Sequence, residues 1–218
     1  MVYDSRYIER RREEIDKSEW LDIYRALRVA GARRWDRIVE LGSGDGSLLR
    51  FLRRRGYMNI VGYDLLHEDE LVRRANLELE EPEYGDYCVS QHFLEHISQD
   101  RAVYLLYRCI VNGVASINIV PGHYSDDPTH KVNHYDYNML HRMALSVREK
   151  LNNEGYASRS MYAYILPDTM SYFNPRVRDW IFILTTRYIH ERRLYPFSVK
   201  LIKLLYKANR IMGRLRWV

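Results

Sequence analysis

A chain of 218 residues with 46% hydrophobic and 13% aromatic residues can bury one sizeable core, which excludes a disordered or low-complexity protein. Its two cysteines, Cys88 and Cys109, exclude a disulfide scaffold and zinc-type cysteine spacing, and both lie in apolar runs that read as sites of buried thiols. The net charge of +5 is uneven: from Arg176 onward eleven Lys/Arg stand against Asp179 and Glu191, so the basic character belongs to the C-terminal fifth.

No apolar run reaches the ~20 residues of a spanning helix. Met1 to Lys17 is charged and lacks the apolar core of a signal peptide, so the expected location is cytoplasmic. Trp20, Ile23, Tyr24 and Leu27 carry the spacing of an amphipathic helix that ends near Gly31. Ile38, Val39 and Leu41 then form a first strand, followed by a turn with Gly42, Gly44 and Gly46 and by a helix that begins at Leu48, Leu49 and Leu52. Asn59 to Asp64 is a second strand that ends in a carboxylate, Glu68 to Arg74 a short helix, and Asn76 to Glu80 a weak third strand. Asp86 to Gln91 is the fourth strand, Leu94 to Cys109 a helix, and Val114 to Val120 the fifth strand, closed by Pro121-Gly122. A polar loop, His123 to His134, leads to a helix over Tyr137 to Leu151 and a strand over Ala157 to Leu166. Arg178 to Ile189 fits either a strand (Trp180 to Thr185) or a helix, and Ser198 to Leu215 is a basic amphipathic helix. Strands alternating with helices imply a mostly parallel α/β sheet of about seven strands, with a basic helical C-terminal extension.

A glycine turn between a strand and a helix lets a ligand approach the backbone and offers it unpaired helix N–H groups. The dinucleotide fingerprint G-x-G-x-x-G would need glycine at position 47, where Ser47 stands, which disfavours a nicotinamide oxidoreductase. The pattern present, Glu40-x-Gly42-x-Gly44-x-Gly46, resembles motif I of the class I S-adenosylmethionine-dependent methyltransferases. Asp64 falls where that family places its ribose-binding acid. The run Asp86 to Ile97, with Leu94-Glu95-His96, is similar to the fourth-strand motif of the subgroup that includes quinone-biosynthesis methyltransferases (methyltransferase type 11). Asn118 to Gly122, Asp127-Pro128-Thr129-His130 with Tyr135, and Glu154-Gly155-Tyr156 are similar to later motifs of the same subgroup. The matched region runs from about Tyr3 to Leu166.

The resemblance implies S-adenosyl-L-methionine as cofactor, held by Glu40, Gly42, Ser43, Gly44, Gly46 and Asp64, with Asn76 (Glu78 nearby) at the adenine and Gln91 at the methionine portion. Tyr3 and Tyr7 resemble an N-terminal segment that closes over the cofactor or packs on the core. If the acceptor must lose a proton, a base is needed. Candidates follow strands four and five, in the order His130, then His92 and His123, with Glu95, His96, Asp126, Asp127 and His134 nearby. Glu95-His96 and the His130 loop also suit helix capping and loop bracing. The spacing of Asp126, Asp127, His130 and His134 matches no specific metal motif, and no metal is expected.

The expected organisation is a methyltransferase domain over residues 1–166 and a basic aromatic extension or cap over 167–218. That extension has three readings: a cap packed on the core, a helix lying on an anionic membrane surface, or a nucleic-acid contact. The expected acceptor is a small molecule, a lipid or a glycan-linked group, methylated on oxygen or carbon. Ser90-Gln91-His92-Phe93 stands where enzymes acting on amino groups of bases carry an Asn/Asp-Pro-Pro-Tyr/Phe motif, which argues against such substrates. The rival readings are a non-catalytic binding protein with the same fold and a nucleic-acid methyltransferase.

Overall fold

The apolar runs fold into one seven-stranded sheet flanked by helices; the computed structural model describes residues 17–122, 127–167 and 179–189. The elements are α1 (Lys17–Val29), β1 (Ile38–Leu41), α2 (Ser47–Arg54), β2 (Ile60–Asp64), β3 (Val72–Arg74), β4 (Tyr87–Gln91), α3 (Gln99–Asn112), β5 (Ala115–Pro121), α4 (Tyr137–Asn153), β6 (Tyr162–Pro167) and β7 (Asp179–Thr185). The strand order is β3-β2-β1-β4-β5-β7-β6. The first five strands run parallel, and β7 lies antiparallel between β5 and β6.

β1, β5 and most of β4 and β7 are buried along their length, because helices cover both faces of the sheet. Val39, Leu41, Cys88, Val120, Phe182 and Leu184 form one core cluster with residues of α3 and α4. Each such side chain contributes roughly 1.5–3 kcal/mol relative to exposure. Polar pairing inside this sheet is also satisfied: Ser90 Oγ donates to Asn118 Oδ1 (2.8 Å), and Asn118 Nδ2 donates to the Phe182 carbonyl (3.1 Å), tying β4, β5 and β7 together. Cys88 and Cys109 are free, buried thiols, and burial pushes the Cys109 thiol well above its ordinary pKa.

Three local expectations are corrected. The stretch Glu68 to Arg74 is not helical: Asp69 Oδ1 accepts the N–H groups of Leu71 (2.7 Å) and Val72 (2.8 Å), and this turn leads into β3. The third strand is therefore Val72–Arg74, not Asn76 to Glu80. Asn76 curls the latter stretch, since its Oδ1 accepts the Glu78 N–H (3.1 Å) and its carbonyl accepts those of Leu79 and Glu80 (2.9 and 2.8 Å). The expected single helix from Leu94 splits into a short 3-10 turn, Leu94–His96, and α3 from Gln99.

Within the stretch that fits either a strand or a helix, Asp179–Thr185 is a strand, β7. β7 pairs with both β5 and β6, so the sheet continues past the expected domain boundary at residue 166. The chain divides into compact units Met1–Tyr188 and Ile189–Val218. Tyr3, Tyr7, His123, Asp126 and the basic helix expected over Ser198 to Leu215 lie outside the described residues. Among the described residues no helix is long and apolar enough to cross a membrane.

Candidate cofactor site

The strand order reverses between β1 and β4, and such a switch point leaves a crevice at the carboxyl ends of the strands. A cavity of about 250 Å³ opens there. Its floor is the loop after β1. Gly42, at φ 70°, passes so close to the Phe93 ring that any Cβ would collide with it. At Gly44, φ 51°, a Cβ would meet no atom within 4 Å and would occupy cavity space instead. Gly42 and Ser43 both donate their N–H groups to the Tyr63 carbonyl (2.9 and 3.1 Å), which fastens the loop to β2.

Asp64 ends β2 and closes the loop from the other side. Its Oδ2 accepts the Gly44 N–H (2.9 Å), and its Oδ1 accepts those of Leu66 (2.9 Å) and His67 (3.2 Å). Glu40, in the middle of β1, is 2% exposed, and its Oε2 has no hydrogen-bond partner. Burial, then the nearby Asp64 and Asp45 carboxylates, push its carboxyl well above the ordinary range. Apolar walls come from Leu65, Leu66, Ala75, Leu77, Phe93 and Ile97.

Of the residues expected to hold a cofactor, Glu40, Gly42, Ser43, Gly44, Asp64, Asn76 and Gln91 line this cavity. Gly46 does not; it caps α2 beneath the loop at φ 74°. Glu78 lines the cavity but is committed elsewhere: its Oε2 accepts the Ser98 N–H (3.0 Å) and pairs with Lys131 Nζ (3.0 Å). Gln91 is held from α1: Trp20 Nε1 donates to its Oε1 (3.1 Å), and its Nε2 donates to Glu19 Oε2.

His92 follows at φ 50°, an uncommon conformation for a residue with a side chain, and lines the cavity. Its Nε2 lies 3.1 Å from Glu19 Oε2 and 4.0 Å from Asp179 Oδ2, and its Nδ1 lies 3.4 Å from Glu95 Oε1. Burial opposes its charged form, but the Glu19 and Glu95 carboxylates outweigh burial and hold its pKa well above the ordinary value. Glu95, fully buried, is lowered in turn: burial raises it, and the bond to His92 overcomes that.

His130 does not line the cavity. Its side chain is 2% exposed and packs edge-on against His96 at 4.7 Å between ring centroids. His96 does reach the cavity, and its Nδ1 lies 3.0 Å from Thr129 Oγ1. The Thr129 hydroxyl donates to Asp127 Oδ1 (2.6 Å). Its single proton is thereby committed, so His96 Nδ1 is the donor in the shared bond. Trp20, Glu19 and Asp179 escaped the sequence reading because nothing local links α1 or β7 to the end of β4. Leu65-Leu66 had a usable signal, an apolar pair straight after a strand-end acid. Two groups, Glu95/His96/His130 and Glu19/His92/Asp179, bring ligand atoms within 4.8 Å of one another, close enough for a metal ion.

A glycine loop after β1, an acid closing β2, and an antiparallel β7 inserted beside β5 define the fold of the class I S-adenosylmethionine-dependent methyltransferases. Solved structures share it. The methyltransferase domain of bacterial CtHen1 matches with TM-score 0.58 and 15% identity over 77% of this chain and 96% of that one. The 1,6-didemethyltoxoflavin-N1-methyltransferase of Burkholderia thailandensis, solved with 1,6-didemethyltoxoflavin and S-adenosylhomocysteine, matches with TM-score 0.52 and 12% identity over 74% of this chain and 75% of that one. Magnesium protoporphyrin IX methyltransferase of Synechocystis PCC 6803, solved with S-adenosylmethionine, matches with TM-score 0.50 and 12% identity over 78% and 79%. No family profile and no curated protein matches the sequence, so the subgroup resemblance rests on its motifs.

Proposed function

We propose that this chain binds S-adenosyl-L-methionine in the cavity between β1, β2 and β4 and transfers its methyl group to an oxygen or carbon of a small-molecule, lipid or glycan-linked acceptor. The observation that carries the reading is the Asp64 carboxylate, which lines the cavity beside the Gly42–Gly44 loop and accepts the Gly44 N–H at 2.9 Å. The residues fit the cofactor on three counts. Gly44 leaves space that a Cβ would fill. Glu40 keeps a buried, unpaired oxygen, and a cationic ligand beside it would restore its ionised form. Leu65, Leu66, Ala75 and Leu77 supply apolar walls suited to a purine.

The cofactor, when bound, supplies a methyl group activated by a sulfonium centre. The chain's own residues orient it and exclude water. Asp64 can accept ribose hydroxyls, and Trp20 with Gln91 closes the side next to β4. Of the expected base candidates His123 lies outside the described residues, and the other two differ. His92 is flanked by carboxylates that favour its charged form, which makes it the poorer base; its part is to anchor Gln91 and α1 through Glu19. His130 stands behind His96. His96, with its tautomer fixed by Thr129 and Asp127, is therefore the group best placed to take a proton from the acceptor.

Calorimetric titration with S-adenosylmethionine tests the cofactor, and absence of binding to the wild type overturns the enzyme reading. Transfer of labelled methyl groups onto cell extract, fractionated into lipid, nucleic acid, protein and small molecules, tests the acceptor. Methylation of nucleic acid is the second reading, favoured by Arg28, Arg33, Arg34 and Arg55, which line one further cavity.

A further inference from the structure

Trp20, Tyr24 and Arg28 are spaced four apart and share one face of α1. Trp20 lines the cofactor cavity, whereas Tyr24 and Arg28 line a second cavity of about 380 Å³. At ~1.5 Å per residue the two ends of this stripe are about 12 Å apart along the helix. Aromatic contacts fill the interval: Trp20 to Phe51 at 5.6 Å, Phe51 to Tyr24 at 6.4 Å, and Tyr24 to Tyr57 at 6.4 Å.

The second cavity is lined by four exposed arginines, Arg28, Arg33, Arg34 and Arg55. Among the described residues no carboxylate lies within 4.0 Å of any of these guanidinium groups. The one acid of the loop, Asp36, has its Oδ2 2.8 Å from the Arg33 backbone N–H, which donates to it. By contrast Arg37, Arg50, Arg53, Arg73 and Arg101 each face a carboxylate. Three of the four guanidiniums are instead set by aromatic side chains. Arg55 lies 4.2 Å from the Phe51 centroid and 4.8 Å from that of Tyr24, Arg33 lies 5.7 Å from that of Trp35, and Arg28 donates to the Tyr24 hydroxyl (3.3 Å). Trp35 itself is 70% exposed, a large apolar ring open to solvent beside the arginines.

We propose that this cavity is a binding site for single-stranded nucleic acid, with Arg28, Arg34 and Arg55 on phosphates and the Trp35 indole stacked on a base. Planar guanidiniums suit bidentate phosphate contacts, and an exposed ring beside a basic cavity is the combination that holds a single strand. The loop lies before β1, at the amino end of the parallel strands, so the site is separate from the cofactor cavity and does not depend on methyl transfer.

Fluorescence anisotropy with the full chain and a labelled oligouridylate of about ten nucleotides, inside the ~4–16 span of single-strand sites, tests it between about 50 and 200 mM salt. The triple variant Arg28→Gln/Arg34→Gln/Arg55→Gln is expected to bind at least roughly tenfold more weakly. Its log–log salt slope should flatten by about 2, at ~0.7 per lost phosphate contact. The corresponding Lys triple should keep the slope, and Trp35→Leu should weaken binding several-fold without changing it. These two variants carry the test if the Gln triple does not fold. Unchanged affinity and slope in the Gln triple overturn the proposal, because basic residues elsewhere would then account for binding. So does displacement of the oligomer, at equal charge, by inorganic phosphate, polyglutamate or anionic phospholipid vesicles.

Discussion

The Asp64 carboxylate accepts the backbone N–H of Gly44 at 2.9 Å, across twenty residues of chain, so the acid that ends β2 also sets the shape of the loop after β1. One carboxylate thus has two tasks: it fixes the loop through one oxygen and presents its edge to the cavity.

Asp64→Ala is therefore expected to cost cofactor affinity about 1.5–3 kcal/mol, roughly ten- to a hundredfold in Kd, by loss of charge-assisted hydrogen bonds. Calorimetric titration with S-adenosylmethionine measures it. An unchanged Kd would remove Asp64 from the binding site.

Glu40 makes an opposite pair of effects. Its native pKa is raised above the unfolded value, so the folded state holds a proton that the unfolded state releases, and stability falls as pH rises from the unfolded pKa toward the native one. Glu40→Gln should raise the thermal midpoint of the ligand-free protein, more at pH 8 than at pH 5, while weakening cofactor binding. A variant that is equally or less stable at pH 8 would show that the carboxyl is not strained.

Removing the His92 imidazole leaves the Glu19 and Glu95 carboxylates facing one another in a buried space. His92→Leu is expected to destabilise the fold by ~3–5 kcal/mol, measured by urea unfolding at neutral pH. The wild-type contribution has a definite pH window. With the native pKa raised, it is fully present below the unfolded value of 6.5 and is lost as pH rises through the native value. A His92→Leu penalty that grows with pH would contradict this.

If the acceptor loses a proton during transfer, His96→Gln should lower kcat by ~10²-fold or more with cofactor Kd unchanged, and it should abolish the acidic limb of the pH–rate profile. His130→Gln should have the smaller effect, acting through the packing of His96. Equal loss in both variants, or loss in Kd instead of kcat, would return the base assignment to the loop.

The motifs of the N-terminal half were legible because their chemistry is local. Alternating strands and helices, the glycine spacing and a strand-ending acid follow from turn stereochemistry and burial within a few residues. β3 was not legible. It spans three residues, of which only Val72 is buried, so it leaves no pattern, and the fold of 76–80 turns on hydrogen bonds made by a single asparagine. The order of β6 and β7 was also hidden, since pairing partners far apart in the chain are chosen by packing.

The sequence by itself determined the α/β class, the glycine loop after β1 and the acid that ends β2, each a short-range consequence of glycine, apolar runs and chain reversal. Only the tertiary structure decided which side chains gather at the carboxyl end of β4. It brought Glu19 from α1 and Asp179 from β7 onto His92, carried His96 to the cavity and set His130 behind it. Buried carboxylates and imidazoles acquire their charge states from neighbours in space. Those neighbours are assembled by the sheet and not by the spacing of residues along the chain.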